Sequence, residues 1–205
     1  MSEKYLKGRV AMVTGGASGM GRAMALAIAK AGADVGIGSL LQESSARNAD
    51  GELVNRPGRE ELDKTRKDIE SLGVRCVAMD LDVCQTESVR RFHQGVSEEL
   101  GDVDILCNAA GITAEHPVTG HSDELWLKVM DVNANGVFRV TREVLPKMIE
   151  RRWGRIVSIA STAATVGAAY SPAYCASKAA VTGFTRAVAQ EGAEALVTAN
   201  TISPG

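Results

Sequence analysis

Thr-Gly-Gly-Ala-Ser-Gly-Met-Gly, residues Thr14 to Gly21, is the stretch most informative about architecture. It follows a short apolar run, Arg9–Thr14, and leads into an apolar helical pattern, Met20–Gly32. Residues without a Cβ let the backbone approach a pyrophosphate, and the free N–H groups of a helix N-terminus face the anion. The spacing Gly-x3-Gly-x-Gly differs from the usual Gly-x-Gly-x-x-Gly, so its position after a strand carries the prediction of a dinucleotide-binding turn. A glycine-rich packing turn is the alternative.

Strands and helices alternate on either side of this turn. Apolar runs predict strands at residues 9–14, 33–38, within 74–83, and at 104–111, 155–161 and 197–203. Helical spacing predicts helices at residues 20–32, 59–73, 86–100, 123–151 and 172–191. This alternation favours right-handed crossovers and an α/β fold with a doubly wound parallel sheet. We find no internal repeat or linker and expect one domain, residues 1–205.

The longest helical pattern, Asp123–Arg151, carries its own start and stop signals. Ser122 is the predicted N-cap, and Pro146 should kink or end the helix. The residues expected on its buried face are Leu125, Val129, Val132, Val137, Val140 and Val144.

A polar stretch between the second and third strands, residues 39–58, is rich in turn-forming residues. We expect a long loop here, most simply a solvated surface insertion.

Composition excludes several classes of protein. Apolar residues make up 45% of the 205 residues and charged residues 23%, values typical of a folded globular domain rather than of a disordered or membrane-spanning chain. The net charge of -2 provides no positive field for nucleic acid or acidic lipid. The four cysteines form no Cys-x-x-Cys pair, so we expect free thiols and no metal site. No apolar signal segment follows Met1, which favours the cytoplasm.

Tyr174 and Lys178 are four residues apart on a predicted helix and therefore share one face. An ammonium one turn away helps a phenol to release its proton. At about 4 Å and an effective dielectric constant of about 20, one charge contributes on the order of 4 kcal/mol. That matches the roughly 3 pH units a tyrosine needs to act near neutral pH. The alternative is a partly buried tyrosine covered by a lysine stem.

Five motifs in order resemble those of the short-chain dehydrogenase/reductase family, in particular its 3-oxoacyl-[acyl-carrier-protein] reductases. They are the glycine turn, Cys107–Gly111 (CNAAG), Asp131–Phe138 (DVNANGVF), Ile159–Thr162 (IAST) and Tyr174–Lys178 (YCASK). Ser161 stands thirteen residues before Tyr174, as in that family. The resemblance covers residues 9–205 and implies a Rossmann-like fold.

The resemblance implies four catalytic residues. Tyr174 would be the general acid in ketone reduction and the general base in alcohol oxidation. Lys178 would hold the nicotinamide ribose and make Tyr174 more acidic, and Ser161 would donate a hydrogen bond to the substrate oxygen. Asn133 would fix a water that links Lys178 to solvent.

The resemblance also implies a site for NAD(P)(H). Its residues would be Gly15, Ser18, Gly19, Met20, Gly21, Ser39, Asp82, Val83, Asn108, Ala109, Gly111, Tyr174, Lys178, Pro204 and Gly205.

Two departures from the family pattern concern the cofactor. Ala109 replaces the second asparagine of the family's NNAG motif, which could loosen a turn hydrogen bond. Ser39 stands where an aspartate would bind the ribose hydroxyls of NAD, so a 2′-phosphate is not repelled. Neither Ser18 nor Leu40 supplies a basic partner for that phosphate. We therefore lean slightly toward NADP(H), with possible phosphate partners in the polar loop: Arg47, Arg56 and Arg59.

The resemblance predicts an oxidoreductase that interconverts a ketone and a secondary alcohol, with a 3-oxoacyl thioester as the leading substrate class. Sugar, sterol or cyclic alcohols are alternatives, and so is an NAD(P)-sensing protein without turnover. The family usually has a substrate-covering loop and a last strand after a Pro-Gly dipeptide, so ending at Pro204–Gly205 suggests that both are missing here. We expect a small-molecule substrate, no nucleic-acid or membrane partner, and a homotetramer or homodimer for the full-length protein.

Overall fold

The computed structural model describes residues 4–44, 51–54 and 56–205. The strands in these ranges are β1 (Val10–Thr14), β2 (Asp34–Ser39), β3 (Glu52–Leu53), β4 (Cys76–Asp80), β5 (Ile105–Asn108), β6 (Thr113–Ala114), β7 (Gly154–Ile159) and β8 (Val197–Ile202). The α-helices are α1 (Gly19–Lys30), α2 (Arg59–Glu70), α3 (Thr86–Leu100), α4 (Asp123–Met130), α5 (Gly136–Glu150), α6 (Ala163–Val166) and α7 (Pro172–Gly192).

Six strands form one parallel sheet in the order β4-β2-β1-β5-β7-β8. The chain starts in the middle, moves outward to β4, and then crosses back to build the other half from β5 onward. This confirms the predicted doubly wound parallel sheet. In such a sheet ligands bind beyond the carboxyl ends of the strands, next to the point where the strand order reverses. That point lies between β1 and β5.

Helices cover both faces of the sheet because the central strands are apolar on both. Every residue of β1 is buried. Met12 belongs to the cluster that packs α3, α5 and α7 on one face, whereas Ala11 and Val13 belong to the cluster that packs α1 and α2 on the other. The alternation follows from the two-residue period of a strand. None of the helices in the described part of the chain is long and apolar enough to cross a membrane.

The pattern read as one long helix is three consecutive segments. Helix α4 passes into a wider π-helical turn, Asp131–Asn135, which passes into α5. Ser122 caps α4 as predicted, because its hydroxyl accepts a hydrogen bond from the Leu125 N–H at 3.2 Å. The prediction that Pro146 could end the helix is wrong, since α5 continues to Glu150. Pro146 itself is exposed, and the buried residues Val144 and Met148 on either side of it pack α5 against the sheet.

The expectation of a solvated insertion at residues 39–58 is only partly correct. Gln42–Ser44 are exposed, but Leu41 and Glu52 are buried. Strand β3 pairs antiparallel with β6, with Glu52 opposite Ala114 and Leu53 opposite Thr113. Strand β3 therefore packs onto the loop that follows β5.

Candidate active site

The glycines of the turn serve both packing and access for a ligand, the two roles that the sequence suggested as alternatives. At Gly21 an added Cβ would overlap the carbonyl oxygen of Gly15, so this glycine is needed for packing. At Gly19 φ is +51° and no atom lies within 4 Å of the position a Cβ would take. The backbone at Gly19 is thus open to a ligand at the N-terminus of α1, where the helix dipole favours an anion.

Hydrogen bonds fix the turn to its neighbouring strands. The Ala17 N–H donates to the Ser39 hydroxyl at 3.0 Å, which ties the turn to the end of β2. The Thr14 hydroxyl accepts from the N–H groups of Ala109 and Ala110, each at 3.1 Å, which ties it to the end of β5. Because Ala109 uses its backbone here, this turn bond does not require the asparagine of the family motif.

A cavity of about 490 Å³ lies beyond the carboxyl ends of β1, β2, β4 and β5. This volume falls in the range of small-molecule and cofactor sites, roughly 300 to 1,000 Å³. Ten predicted cofactor residues line it: Gly15, Ser18, Gly19, Met20, Gly21, Ser39, Asp82, Val83, Ala109 and Gly111. The open backbone at Gly19 and the helix N-terminus give the cavity the features that a pyrophosphate requires, so these residues fit a dinucleotide.

The other predicted cofactor residues do not line this cavity. Asn108 is buried, and its amide donates to the hydroxyls of Thr141 and Ser158 at 3.2 Å each. Pro204 lies beside the Ser161 segment, since its carbonyl accepts from the Thr162 N–H at 2.9 Å. Gly205 follows, with its Cβ position 3.8 Å from the Thr162 side chain.

Lys178 and Tyr174 lie together next to the cavity, in what we call the catalytic corner after their predicted roles. The Lys178 Nζ lies 5.6 Å from the centre of the Tyr174 ring and donates to the Ile159 carbonyl at the end of β7 at 2.8 Å. Lys178 is only 5% exposed, and this burial lowers its pKa from 10.5 to about 8. Gly111 joins the corner to the cavity, because its Cβ position lies 3.5 Å from the Lys178 Nζ.

Asn133 lies in the π-helical turn and is fully buried. Its amide nitrogen donates to the Ile112 carbonyl at 2.9 Å and to the Ser177 hydroxyl at 3.0 Å, and its amide oxygen accepts from the Ile112 N–H at 2.8 Å. The side chain therefore joins the loop after β5 to α7, the helix that carries Tyr174 and Lys178.

Ser161 follows the end of β7 and is half-buried. Its hydroxyl oxygen accepts a hydrogen bond from the Ala163 N–H at 3.1 Å, which fixes the oxygen at the start of a short helical turn. The hydroxyl hydrogen is available to donate to another group.

The three loop arginines have different positions. Arg56 lines the cavity and forms an ion pair with Glu52 at 2.9 Å. Arg59 begins α2, and its N–H donates to the Glu43 carboxylate at 3.3 Å. Arg47 lies outside the described residues.

Sequence reasoning missed part of the cavity wall. Lys128 and Asp131 reach it from α4 and the following turn, while Glu52, Val54 and Pro57 reach it from the polar segment. Lys128 and Glu52 are far apart along the chain, and no local pattern brings them together. Nothing in the polar stretch around Glu52 distinguishes its buried carboxylate from a solvated one.

In the described ranges, no group of three or more His, Cys, Asp or Glu side chains could hold a metal ion. All four cysteines are free thiols. Cys175, next to Tyr174, accepts a hydrogen bond from the Ala168 N–H at 3.2 Å.

A family model described as short chain dehydrogenase matches residues 9–205. The chain belongs to the short-chain dehydrogenase family. This membership confirms the predicted class of enzyme, an oxidoreductase that uses a nicotinamide cofactor and acts on CH–OH or C=O groups.

Two curated relatives illustrate the similarity. The 3-oxoacyl-[acyl-carrier-protein] reductase FabG of Vibrio cholerae is 36% identical over 200 residues, which cover 98% of this chain and 74% of that protein. The acetoacetyl-CoA reductase of Allochromatium vinosum is 36% identical over 197 residues, covering 96% of this chain and 74% of that protein.

A solved structure shows how well the fold agrees. The structure of an NAD+-bound xylitol dehydrogenase has a TM-score of 0.85 and 30% sequence identity, covering 98% of this short-chain dehydrogenase and 71% of that chain.

Proposed function

We propose that this short-chain dehydrogenase reduces the keto group of a 3-oxoacyl thioester to a secondary alcohol, with NADPH as the hydride donor. The observation that carries the proposal is the corner in which the Lys178 ammonium lies 5.6 Å from the Tyr174 ring centre, joined to the dinucleotide cavity through Gly111. The substrate class is supported by the two curated relatives, whose names both describe reductases of 3-oxoacyl thioesters.

When bound, the nicotinamide would supply a hydride for the carbonyl carbon. Tyr174 donates its phenolic proton to the carbonyl oxygen, and the Ser161 hydroxyl donates a hydrogen bond to the same oxygen as negative charge develops on it. The Ala163 N–H orients the Ser161 oxygen and leaves its hydrogen for the substrate. In the oxidative direction Tyr174 accepts the proton instead.

Lys178 acts on Tyr174 through its charge. The protonated amine stabilises the phenolate that remains after proton transfer, and its location beside Gly111 allows it to hold the nicotinamide ribose hydroxyls. Because burial lowers the Lys178 pKa to about 8, this assistance weakens as the pH rises through that value.

Asn133 acts as a positioning residue for this corner. Its amide nitrogen is engaged by the Ile112 carbonyl and the Ser177 hydroxyl, whereas its amide oxygen, which accepts from the Ile112 N–H, keeps a second lone pair for the water that we expect to link Lys178 to solvent. The side chain itself keeps α7 and the Gly111 loop in register.

The preference for NADPH rests on Ser39 at the end of β2. Ser39 lines the cavity and places no carboxylate there, so the 2′-phosphate of NADPH meets no repulsion from this position. On the wall of the same cavity Arg56 and Lys128 share the single carboxylate of Glu52, so these three side chains together carry one net positive charge.

A second candidate is oxidation of a polyol with NAD+. The xylitol dehydrogenase that shares the fold at a TM-score of 0.85 supports it. The intact Tyr174 and Lys178 corner disfavours a protein that only senses the cofactor, because such a role needs no proton donor.

The test follows absorbance at the nicotinamide band with acetoacetyl-CoA and either NADPH or NADH, and with xylitol and NAD+. We expect NADPH-dependent reduction of acetoacetyl-CoA, and a Tyr174→Phe variant at least about 100-fold slower. Tyr170→Phe is the matched control, because Tyr170 is 65% exposed and should tolerate the change. Faster turnover of xylitol than of acetoacetyl-CoA would favour the second candidate, and full activity in Tyr174→Phe would refute the mechanism.

The assembly and location of the protein remain predictions. We propose a homodimer or homotetramer that acts in the cytoplasm on a small molecule, without a nucleic-acid partner. Gel filtration with light scattering measures the oligomeric state, and a monomer would contradict the proposal.

A further inference from the structure

The segment formed by residues 51–54 and 56–58, which we call the bridge segment, runs across one side of the cavity. At one end the Pro57 carbonyl accepts from the Gln42 N–H at 3.0 Å, close to the end of β2. At the other end the Gly51 carbonyl accepts from the Glu115 N–H at 3.2 Å, and β3 pairs with β6 beyond β5. The bridge segment is thus attached on both sides of the dinucleotide cavity.

Glu52 is the centre of this attachment. Its side chain has no exposed surface, and its two carboxylate oxygens form ion pairs with Arg56 at 2.9 Å and with Lys128 of α4 at 2.5 Å. A carboxylate removed from water needs such partners, and removing its charge releases them. Glu52 therefore fixes two cationic side chains that come from different parts of the chain.

Both cationic side chains lie on the wall of the cavity. Arg56 and Lys128 line the same cavity as Ser18 and Gly19 of the glycine turn, where the phosphates of a dinucleotide are expected. The exposed fractions of their side chains are 13% and 26%, so they are held within the wall instead of extending into solvent.

The bridge segment also contacts the apolar side of the catalytic corner. Val54 packs against a buried cluster that includes Ile112, next to Gly111, and Ala173, next to Tyr174. The bridge segment therefore contacts both the cofactor cavity and the apolar residues beside the catalytic corner.

We propose that Glu52 is a positioning residue of the cofactor site: it holds Arg56 and Lys128 where they bind phosphate groups of the dinucleotide. This inference rests on the proposed function only in that the cavity holds NADPH or NADH. Losing such a contact acts mainly on the rate at which the cofactor dissociates. The phosphate is either the pyrophosphate common to both cofactors or the 2′-phosphate of NADPH, and the experiment separates the two.

The experiment measures the Kd and the dissociation rate of NADPH and of NADH by stopped-flow fluorescence, without substrate, for the wild type and Glu52→Gln. Glutamine keeps the shape of the side chain and removes its charge. We expect the Kd for NADPH to rise at least tenfold, mainly through faster dissociation. In a separate steady-state assay of acetoacetyl-CoA reduction, the KM for NADPH should rise at least five times more than kcat falls. An equal loss for NADH assigns the contact to the pyrophosphate, and a loss confined to NADPH assigns it to the 2′-phosphate.

The control is Glu124→Gln, which removes an exposed carboxylate from the same helix as Lys128 and should change neither constant. Glu52→Asp, which keeps the charge, should recover part of the affinity. If Glu52→Gln does not fold, Arg56→Gln and Lys128→Gln replace it, and each must weaken cofactor binding at least threefold. Unchanged Kd values in the folded variants, or an equal loss in Glu124→Gln, would overturn the proposal. Failure to reduce acetoacetyl-CoA would refute the proposed function but leave these binding results intact.

Discussion

The glycine turn and the catalytic corner lie along the same carboxyl edge of the sheet, yet they are built in opposite ways. The turn consists of backbone and small side chains, and its hydrogen bonds, from the Ala17 N–H to Ser39 and from the Ala109 N–H to Thr14, serve the fold as well as the ligand. The corner buries the ammonium of Lys178, whose lowered pKa shows that the fold disfavours the charge that the chemistry needs. Binding and stability therefore reinforce each other in the turn and oppose each other in the corner.

The largest expected effect comes from Lys178→Met. Burial lowers the Lys178 pKa from 10.5 to about 8, and at about 1.4 kcal/mol for each pH unit the buried charge costs on the order of 3 kcal/mol of stability. This penalty is complete below pH 8 and disappears as the pH rises toward 10.5, because the folded protein loses the proton first. We expect the variant to be more stable than the wild type at pH 7 and to lose catalytic activity.

Chemical denaturation at about pH 7 and at about pH 10 measures this difference. The stability gain should be clear at the lower pH and small at the higher one. A Lys178→Met variant that is less stable than the wild type at pH 7 would contradict the claim that the buried charge of Lys178 lowers stability.

A smaller effect is expected from Gly21→Ala in the turn. The added Cβ meets the backbone oxygen of Gly15, which cannot move without shifting the turn. Such overpacking costs about 1 to 3 kcal/mol, so the Kd for NADPH and for NADH should rise equally, by roughly 10- to 100-fold. Unlike Lys178→Met, this variant should also be less stable.

Isothermal titration and thermal denaturation check both effects. Gly183→Ala is the control, because Gly183 is an exposed residue of α7 with no atom near its Cβ position. Alanine there should preserve binding and should not lower stability, because in an exposed helix interior alanine is more favourable than glycine by about 1 kcal/mol. Tight cofactor binding in Gly21→Ala would show that the turn is more adaptable than its packing indicates.

The smallest effect concerns the preference for NADPH over NADH at the end of β2. Ser39→Asp keeps an acceptor for the Ala17 N–H and adds a carboxylate at the end of β2. Its repulsion of a 2′-phosphate should raise the Kd for NADPH about tenfold, or about 1.4 kcal/mol, while that for NADH changes less. Ser39→Asn is the neutral control. Equal changes for the two cofactors would mean that the 2′-phosphate does not lie near Ser39.

The comparison also explains how much could be predicted from the sequence. The parallel sheet and the glycine turn were predictable because their signals are local: apolar runs, helical spacing and glycines just after β1. The pairing of Tyr174 with Lys178 followed from one helical turn of spacing. Two features depend on packing against the sheet: the π-helical turn at Asp131–Asn135 and the continuation of α5 through Pro146. The helix propensity of individual residues carries no information about that packing.

The bridge segment is the clearest case of what the sequence hides. Glu52 occurs in a stretch of polar and turn-forming residues, and its burial depends on Lys128 of α4 and on pairing with Ala114. These contacts join residues far apart in the chain, so the same residues could equally have formed a solvated loop. Only the folded arrangement places them against the dinucleotide cavity.

The most direct test of the account is the pH dependence of acetoacetyl-CoA reduction at saturating NADPH. The central claim is that the protonated Lys178 makes Tyr174 an effective proton donor. The account predicts that kcat falls as the pH rises through about 8, where Lys178 loses its proton. A kcat that stays constant up to about pH 10 would contradict it.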